Sequence, residues 1–229
     1  MQEYTEQLVD LHKYGFKMTK FIARSVYLIA VDPSLTCSGW ALFDLKTANP
    51  LATGIILPLP ATFSLEHRIN LLQQEVKRMF ISMSLDKRDY FVSEGPAPLV
   101  LNPDSALKVE RVRGVFEAVA RETALNVVGR LNPRTVQTEL LGFKGKQIER
   151  KEVKKIARQV ALNLFPSFLA SKNKVTQDEI DALLVGALAA SKIKIALSSK
   201  LSPELVFATK ARRSRSIRWK ESDLIRKNP

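Results

Sequence analysis

Only one cysteine, Cys37, occurs in 229 residues, so no disulfide can form within a single chain. The two histidines, His12 and His67, join no cysteine cluster, which excludes a zinc site of the finger or ribbon type. Apolar residues make up 45% of the chain, yet no unbroken apolar stretch reaches the roughly 20 residues that a membrane-crossing helix needs. Glycine is scarce, at 9 residues, and no glycine-rich phosphate loop follows the first strands, which argues against an actin-like or sugar-kinase ATPase. Met1 to Lys20 is charged and lacks an apolar centre, so no secretory signal is expected; Met18 is a candidate alternative start. The expected setting is a reducing one, in the cytoplasm. Negative charge is the last shortage: 23 Asp and Glu stand against 36 Lys and Arg, a net +13. Such a surface attracts polyanions, and without a long basic amphipathic helix to favour a membrane the leading partner is nucleic acid.

What is present reads as one α/β domain. Val26 to Val31 is an aliphatic, β-branched run that stops at Asp32-Pro33, the pattern of a buried central strand. Trp40 to Phe43 and Thr53 to Leu57 follow in hairpin order. Leu65, Ile69, Leu72, Val76, Met79 and Phe80 then recur at helical spacing, with Arg68 and Lys77 on the opposite, polar face. Tyr90 to Ser93 is a short strand ending at Glu94, and Asp104 or Ser105 is placed to cap the next helix. Asn126 to Leu131 is a fifth strand, followed by Pro133 and a short helix closed by Gly142. Lys151 to Phe165 has a helical period that Pro166 ends, and Thr176 to Glu179 matches a capping box at the start of the last long helix. Residues 1–24 read as an extension, 25–199 as the domain, and 200–229 as a basic tail rich in Lys and Arg and holding Trp219. The β-β-β-α-β-α-β-α-α order predicts a mixed five-stranded sheet with helices on both faces, the order of a ribonuclease H-like fold.

Four acids stand out in this frame. Asp32 and Glu94 each end a strand, the edge where open sheets place ligands. Asp178 and Asp181 lie three apart in a helix and so share a face. Taken singly, Asp32 is also what turn chemistry produces before Pro, and Asp178 suits a helix N-terminus by its charge alone. Asp181 lies beside the apolar stripe of Ile180, Leu184 and Leu188, where an unpaired charge is costly. Converging carboxylates repel unless a cation or a proton compensates, and hard oxygen donors suit Mg2+ or Mn2+. Two such ions promote phosphodiester hydrolysis.

The residues that carry these acids resemble the RuvC family of Holliday junction resolvases. Val31-Asp32-Pro33, with Gly39-Trp40, looks like the family's first motif. More specific is the block Asn102 to Val115, with Ser105-Ala106-Leu107-Lys108 and Arg113-Gly114 at the family's spacing. Gly142 to Lys146 with Lys151-Glu152-Val153 is similar to its glycine and lysine loop, and Asp178 to Leu183 to its closing acidic helix. The resemblance spans roughly Leu28 to Ala190 and neither end. It implies a homodimer that introduces paired nicks into a four-way DNA junction using Mg2+, two ions per site, or Mn2+ in its place. By motif, Asp32, Glu94, Asp178 and Asp181 become the metal ligands, and Lys146 or Lys151 acts near the scissile phosphate. The helix that starts near Ser105 becomes the dimer interface. The family's aromatic residue after the strand-end Glu is missing from Gly95 to Leu101, a stretch that holds two prolines and one residue more than the family pattern.

Asn102, Lys144, Arg150, Lys154 and Lys155 complete the candidate nucleic-acid contacts, with Arg158 in the same basic stretch. Contacts of this kind position a phosphate backbone without reading bases. The expected setting is therefore nucleoid-associated, in a bacterium or a phage-infected cell. Three other readings stay open at this stage: a broader branched-DNA nuclease of phage type, a hydrolase of RNA–DNA hybrids, and a DNA-binding protein without catalysis.

Overall fold

A computed structural model describes residues 25–96, 103–143 and 148–207. The expected 1–24 extension, Asn102, Lys144, Lys146 and the tail beyond residue 207, Trp219 included, lie outside the described residues. Five strands, β1 (Tyr27–Asp32), β2 (Ser38–Asp44), β3 (Asn49–Ile56), β4 (Tyr90–Glu94) and β5 (Asn126–Leu131), form one sheet in the order β3-β2-β1-β4-β5. β1, β2 and β3 are antiparallel neighbours, while β4 and β5 add on in parallel. Parallel neighbours require crossovers, and helix α1 (Leu65–Ser82) and helix α2 (Pro103–Glu122) supply them. Four shorter helices and one long one complete the described chain: α3 (Pro133–Glu139), α4 (Arg150–Leu164), α5 (Pro166–Ala170), α6 (Gln177–Ser198) and α7 (Pro203–Phe207).

The period-two alternation of β1 divides the core into two. Tyr27, Ile29 and Val31 face one side, with Trp40, Phe91, Phe80 and Phe116, under α1 and α2. Leu28 and Ala30 face the other, with Phe43, Val92, Ile180 and Leu183, under α6. The mixed five-stranded sheet with helices on both faces, expected from the element order, is thus the architecture observed.

The register of β1 on β4, Leu28↔Tyr90 through Val31↔Ser93, brings the next residues, Asp32 and Glu94, to the same sheet edge. At the opposite edge the buried Asp89 accepts from the Tyr27 amide at 2.9 Å and the Asp86 amide at 2.8 Å, which ties the two strands where they begin. Helix α6 then crosses the sheet. Its capping box forms, and Glu179 also accepts from the Thr53 hydroxyl at 2.8 Å and pairs with Lys172 at 3.2 Å, fastening the helix N-terminus to β3. Its first turn presses on β2 at Gly39, where an added Cβ would stand 1.9 Å from the Asp178 carbonyl oxygen.

Four local expectations change. Arg68, which periodicity puts on the polar face of α1, is buried, and its guanidinium donates to the carbonyls of Leu59 at 2.8 Å and Leu35 at 2.7 Å. A long side chain can turn back under its own helix when backbone acceptors await it. Asp104 and Ser105 do not cap α2, because the helix already starts at Pro103, a residue suited to a first turn. Pro166 ends α4 and also opens α5 by the same preference. The packed body continues past residue 199, because α7 buries Pro203 and Phe207. Phe207 fits against Gly129, whose positive φ of 131° leaves no Cβ in the way: a Cβ there would lie 3.0 Å from that of Phe207.

Gly39→Ala should destabilise the protein by about 3 kcal/mol or more, since neither backbone can yield where the new methyl lands. Gly114→Ala in α2, where an added Cβ meets nothing within 4 Å, should gain up to about 1 kcal/mol from helix propensity. Urea denaturation of both variants measures the contrast, and a Gly39→Ala protein as stable as the parent would contradict the packing described.

Candidate functional site

Asp32 and Glu94 end two adjacent parallel strands, and both are half-buried. Burial raises the Asp32 carboxyl to about 7, helped by the charges of Asp181 and Asp178 and opposed by a hydrogen bond from Glu94 and by the Arg113 guanidinium. Glu94 is raised well above the ordinary carboxylate range, first by burial and then by the Asp32 charge, so the protonated Glu94 carboxyl donates to Asp32. Burial and the proximity of two like charges both disfavour the doubly ionised pair.

Helix α6 delivers the other two acids. Asp181 accepts from Gln177 Nε2 at 2.8 Å; burial raises its pKa, with the Asp178 charge adding to the rise and Gln177, Lys154 and Arg150 opposing it. Asp178 hydrogen-bonds the thiol of Cys37. Burial and that bond push the thiol up to about 12, which keeps it protonated and a donor. Gly39, the register partner of Asp32 on β2, is where the Asp178 backbone touches the sheet, so one glycine governs how near α6 brings its acids to β1.

A cavity of about 180 Å³ opens beside these acids. Glu94 and Asp181 line it, with Gln137 of α3 and with Arg150 and Lys154 of α4. Arg150 and Lys154, four residues apart, share the α4 face turned to the acids; Lys151 and Lys155 are exposed and do not line the cavity. Arg158 donates to the Val175 carbonyl at 3.0 Å and so braces the segment that leads into α6. Lys144, Lys146 and Asn102 lie outside the described residues.

The four acids therefore gather at one sheet edge, with Asp32 on Glu94 and Asp178 on Cys37. Among the described residues no group of three or more metal-ligating side chains closes at coordination spacing. The donor chemistry nevertheless fits a hard divalent cation. Every candidate ligand is a carboxylate oxygen, and the raised Asp32, Glu94 and Asp181 mark an unmet need for positive charge.

Two positioning groups escaped the sequence reading. Arg113 lies within a recognised motif, but only tertiary structure shows it buried with its Nε donating to the Glu94 carbonyl at 2.7 Å. Arg68 does the same for the turn after Asp32 through the Leu35 carbonyl. In sequence Arg68 reads as a polar-face charge and Arg113 only as part of a motif. The Ser34–Ser38 turn is also closed internally, with Ser38 Oγ donating to the Ser34 carbonyl at 2.8 Å and accepting its amide at 2.9 Å.

No protein-family model matches the chain, and no curated protein matches it. Solved structures do. A structure of Thermus thermophilus RuvC is similar, at 14% identity and a TM-score of 0.59, over 75% of this chain and 97% of that one. T. thermophilus RuvC in complex with a Holliday junction substrate is similar at 16% identity and a TM-score of 0.56, over 74% and 96%. At such identities the likeness shows the fold. The chain has the RuvC-like, ribonuclease H-like fold, which agrees with the resemblance read in the motifs.

The raised acids make stability depend on pH. Because the folded Asp32 and Glu94 hold protons more tightly than the unfolded chain does, their contribution is fully present below the ordinary carboxylate values. The Asp32 share is lost as pH rises through about 7, and the Glu94 share as pH rises through its own raised value. Metal-free protein should melt at a lower temperature at pH 8 than at pH 5, and Asp32→Asn should raise Tm at pH 8 by about 2–4 °C for each kcal/mol of repulsion relieved. Mg2+ should raise the Tm of the parent at pH 8 more than that of Asp32→Asn. Scanning calorimetry with EDTA or Mg2+ measures this, and a parent whose Tm rises from pH 5 to pH 8 without metal would refute the assignment of the acid pair.

Proposed function

We propose that this protein is a divalent-metal-dependent endonuclease that acts on branched DNA, resolving four-way junctions by paired symmetric nicks as a homodimer. The observation that carries the reading is the meeting of acids from three elements at one sheet edge: Asp32 and Glu94 end adjacent parallel strands, and Asp181 of α6 lines the same cavity as Glu94. The fold adds support, because a structure that shares it was solved with a Holliday junction substrate.

In this reading Asp32, Glu94, Asp178 and Asp181 hold two Mg2+, or Mn2+ in their place. When bound, such ions would supply an activated water and charge stabilisation for the leaving oxygen of a phosphodiester. The chain's own residues prepare the site. To act as ligands Asp32 and Glu94 would both be ionised, any proton between them passing to solvent, while Gln177 holds Asp181 by its carboxylate oxygen. Arg150 and Lys154 on the cavity wall draw a phosphate toward the acids, where charge-assisted hydrogen bonds are strongest. Lys146 or Lys151 remains the candidate for the scissile phosphate region, with Asn102, Lys144 and Lys155 as outer contacts. An isologous dimer would offer two equivalent sites to a junction of matching symmetry.

One feature favours a broader branched-DNA nuclease as the second reading. The sequence from Gly95 to Leu101 offers no aromatic ring to stack on a junction base. Substrate choice would then rest on shape and phosphate contact.

A nicking panel of four-way, three-way, flap and linear duplex DNA, run with Mg2+ and with Mn2+, should show cutting of the branched substrates only. Equal cutting of linear duplex would refute structure selectivity. Asp32→Asn and Asp181→Asn should lose at least about 10²-fold in kcat while junction binding persists, consistent with the loss of a metal ligand. Arg150→Ala with Lys154→Ala should weaken binding and flatten its salt dependence, by a slope of about 0.9 for each phosphate contact removed.

A further inference from the structure

The loop that leaves the sheet after Glu94 begins under unusual restraint. Past the last pairing of β4 with β1, at Val31↔Ser93, the Glu94 carbonyl accepts from Arg113 Nε at 2.7 Å. The Gly95 amide donates to the Leu131 carbonyl at 2.7 Å. The backbone on either side of the Glu94 side chain is thus fixed from α2 and from β5. Arg113 is only 3% exposed. A buried guanidinium is costly unless its donors are satisfied, and here the Glu110 carboxylate takes Nη1 while the Glu94 carbonyl takes Nε. Glu110 is shared with Arg130 at 2.6 Å; Arg130 in turn grips both oxygens of Glu117 at 2.6 and 3.0 Å, and Glu117 lies 3.4 Å from the Ser93 hydroxyl.

We propose that Arg113 is a positioning residue for the candidate metal site, setting the placement of the Glu94 carboxylate through its backbone. The proposal rests on the reading of Asp32 and Glu94 as metal ligands. Two observations separate Arg113 from an ordinary structural ion pair. Its hydrogen bond falls on the very residue whose side chain would ligate, and its guanidinium is buried against that backbone rather than spent on a surface pair. Arg130 belongs to the same network and touches neither acid, which makes it the internal control. The chemistry also separates Arg from Lys. A guanidinium can bond a carbonyl and a carboxylate at once from a planar fork, whereas a single ammonium keeps the charge and loses that geometry.

The test compares Arg113→Lys, Arg113→Met and Arg130→Met with the parent. Mn2+ alone is titrated by electron paramagnetic resonance without DNA, and kcat and KM are measured on a four-way junction with Mg2+. Arg113→Met should raise the Mn2+ half-saturation point by about 10-fold or more, as loss of an outer-sphere partner does. It should also lower kcat by about 10²-fold through misplacement of Glu94, with KM for the junction nearly unchanged. Arg113→Lys should recover part of the Mn2+ affinity while its kcat stays at least about 10-fold low. Arg130→Met should lose thermal stability and keep its Mn2+ midpoint within about twofold. The proposal is overturned if Arg113→Met binds Mn2+ as the parent does, or if Arg130→Met shifts Mn2+ binding equally. Should Arg113→Met fail to fold, an Arg113→Lys protein with parental kcat overturns it instead. A parent that binds Mn2+ but cuts no DNA would refute the nuclease reading while the Mn2+ titrations still decide Arg113. A parent that binds no Mn2+ would refute both.

Discussion

The contact between the first turn of α6 and Gly39 is the constraint on which the rest of the site depends. Two acids come from strands and two from a helix on one face of the sheet, and the groups can meet only if that helix descends to the level of the strand ends. Any side chain at position 39 would hold the two apart, since even a methyl would fall inside the Asp178 carbonyl. The helix is then kept from sliding by the Thr176–Glu179 cap and by the bonds of Glu179 to Thr53 and Lys172, all on buried or half-buried groups. Close packing and fixed hydrogen bonds thus do for the helix what strand register does for Asp32 and Glu94.

Such a site is electrostatically unfavourable until something positive enters it. The fold answers in part with two arginines drawn from the helices on the far face of the sheet. Arg68 fastens the turn after Asp32 and Arg113 the start of the loop after Glu94, each by donating to a backbone carbonyl. Both are buried, and both act on main chain, so neither is spent as a direct side-chain partner of Asp32 or Glu94. This arrangement keeps acid ligands available while restraining the backbone that bears them. Cys37 plays a similar part for Asp178, since its thiol, held protonated, donates without competing as a charge.

How much of this was legible in the sequence follows from the range of each interaction. The first strand, read over Val26 to Val31 and found at Tyr27–Asp32, the capping box of α6 and the two-faced sheet come from local periodicity and local hydrogen bonding. The convergence of Asp32 with Glu94 was inferable because strands that neighbour in parallel align their ends. Arg68 and Arg113 were not, because a charged residue on a helix looks solvated unless one knows which carbonyl lies beneath it. Helix α7 escaped because a five-residue helix in a basic stretch shows little periodicity, and its place depends on a notch at Gly129 far away in sequence. Position on α4 separates the basic residues in a way that composition does not: Arg150 and Lys154 turn to the cavity, while Lys151 and Lys155 do not.

Helix α7 matters in another respect. A sheet ends in two strands with unpaired backbone groups, and such edges recruit strands from other molecules unless they are blunted. Here the outer strands are β3 and β5. β3 carries Pro50, which offers no amide to an incoming strand, and β5 is bent by a bulge opposite Val92 and has Phe207 of α7 packed against its glycine. Both borders of the sheet are thus less inviting to an added strand, β3 at Pro50 and β5 where α7 packs on its glycine.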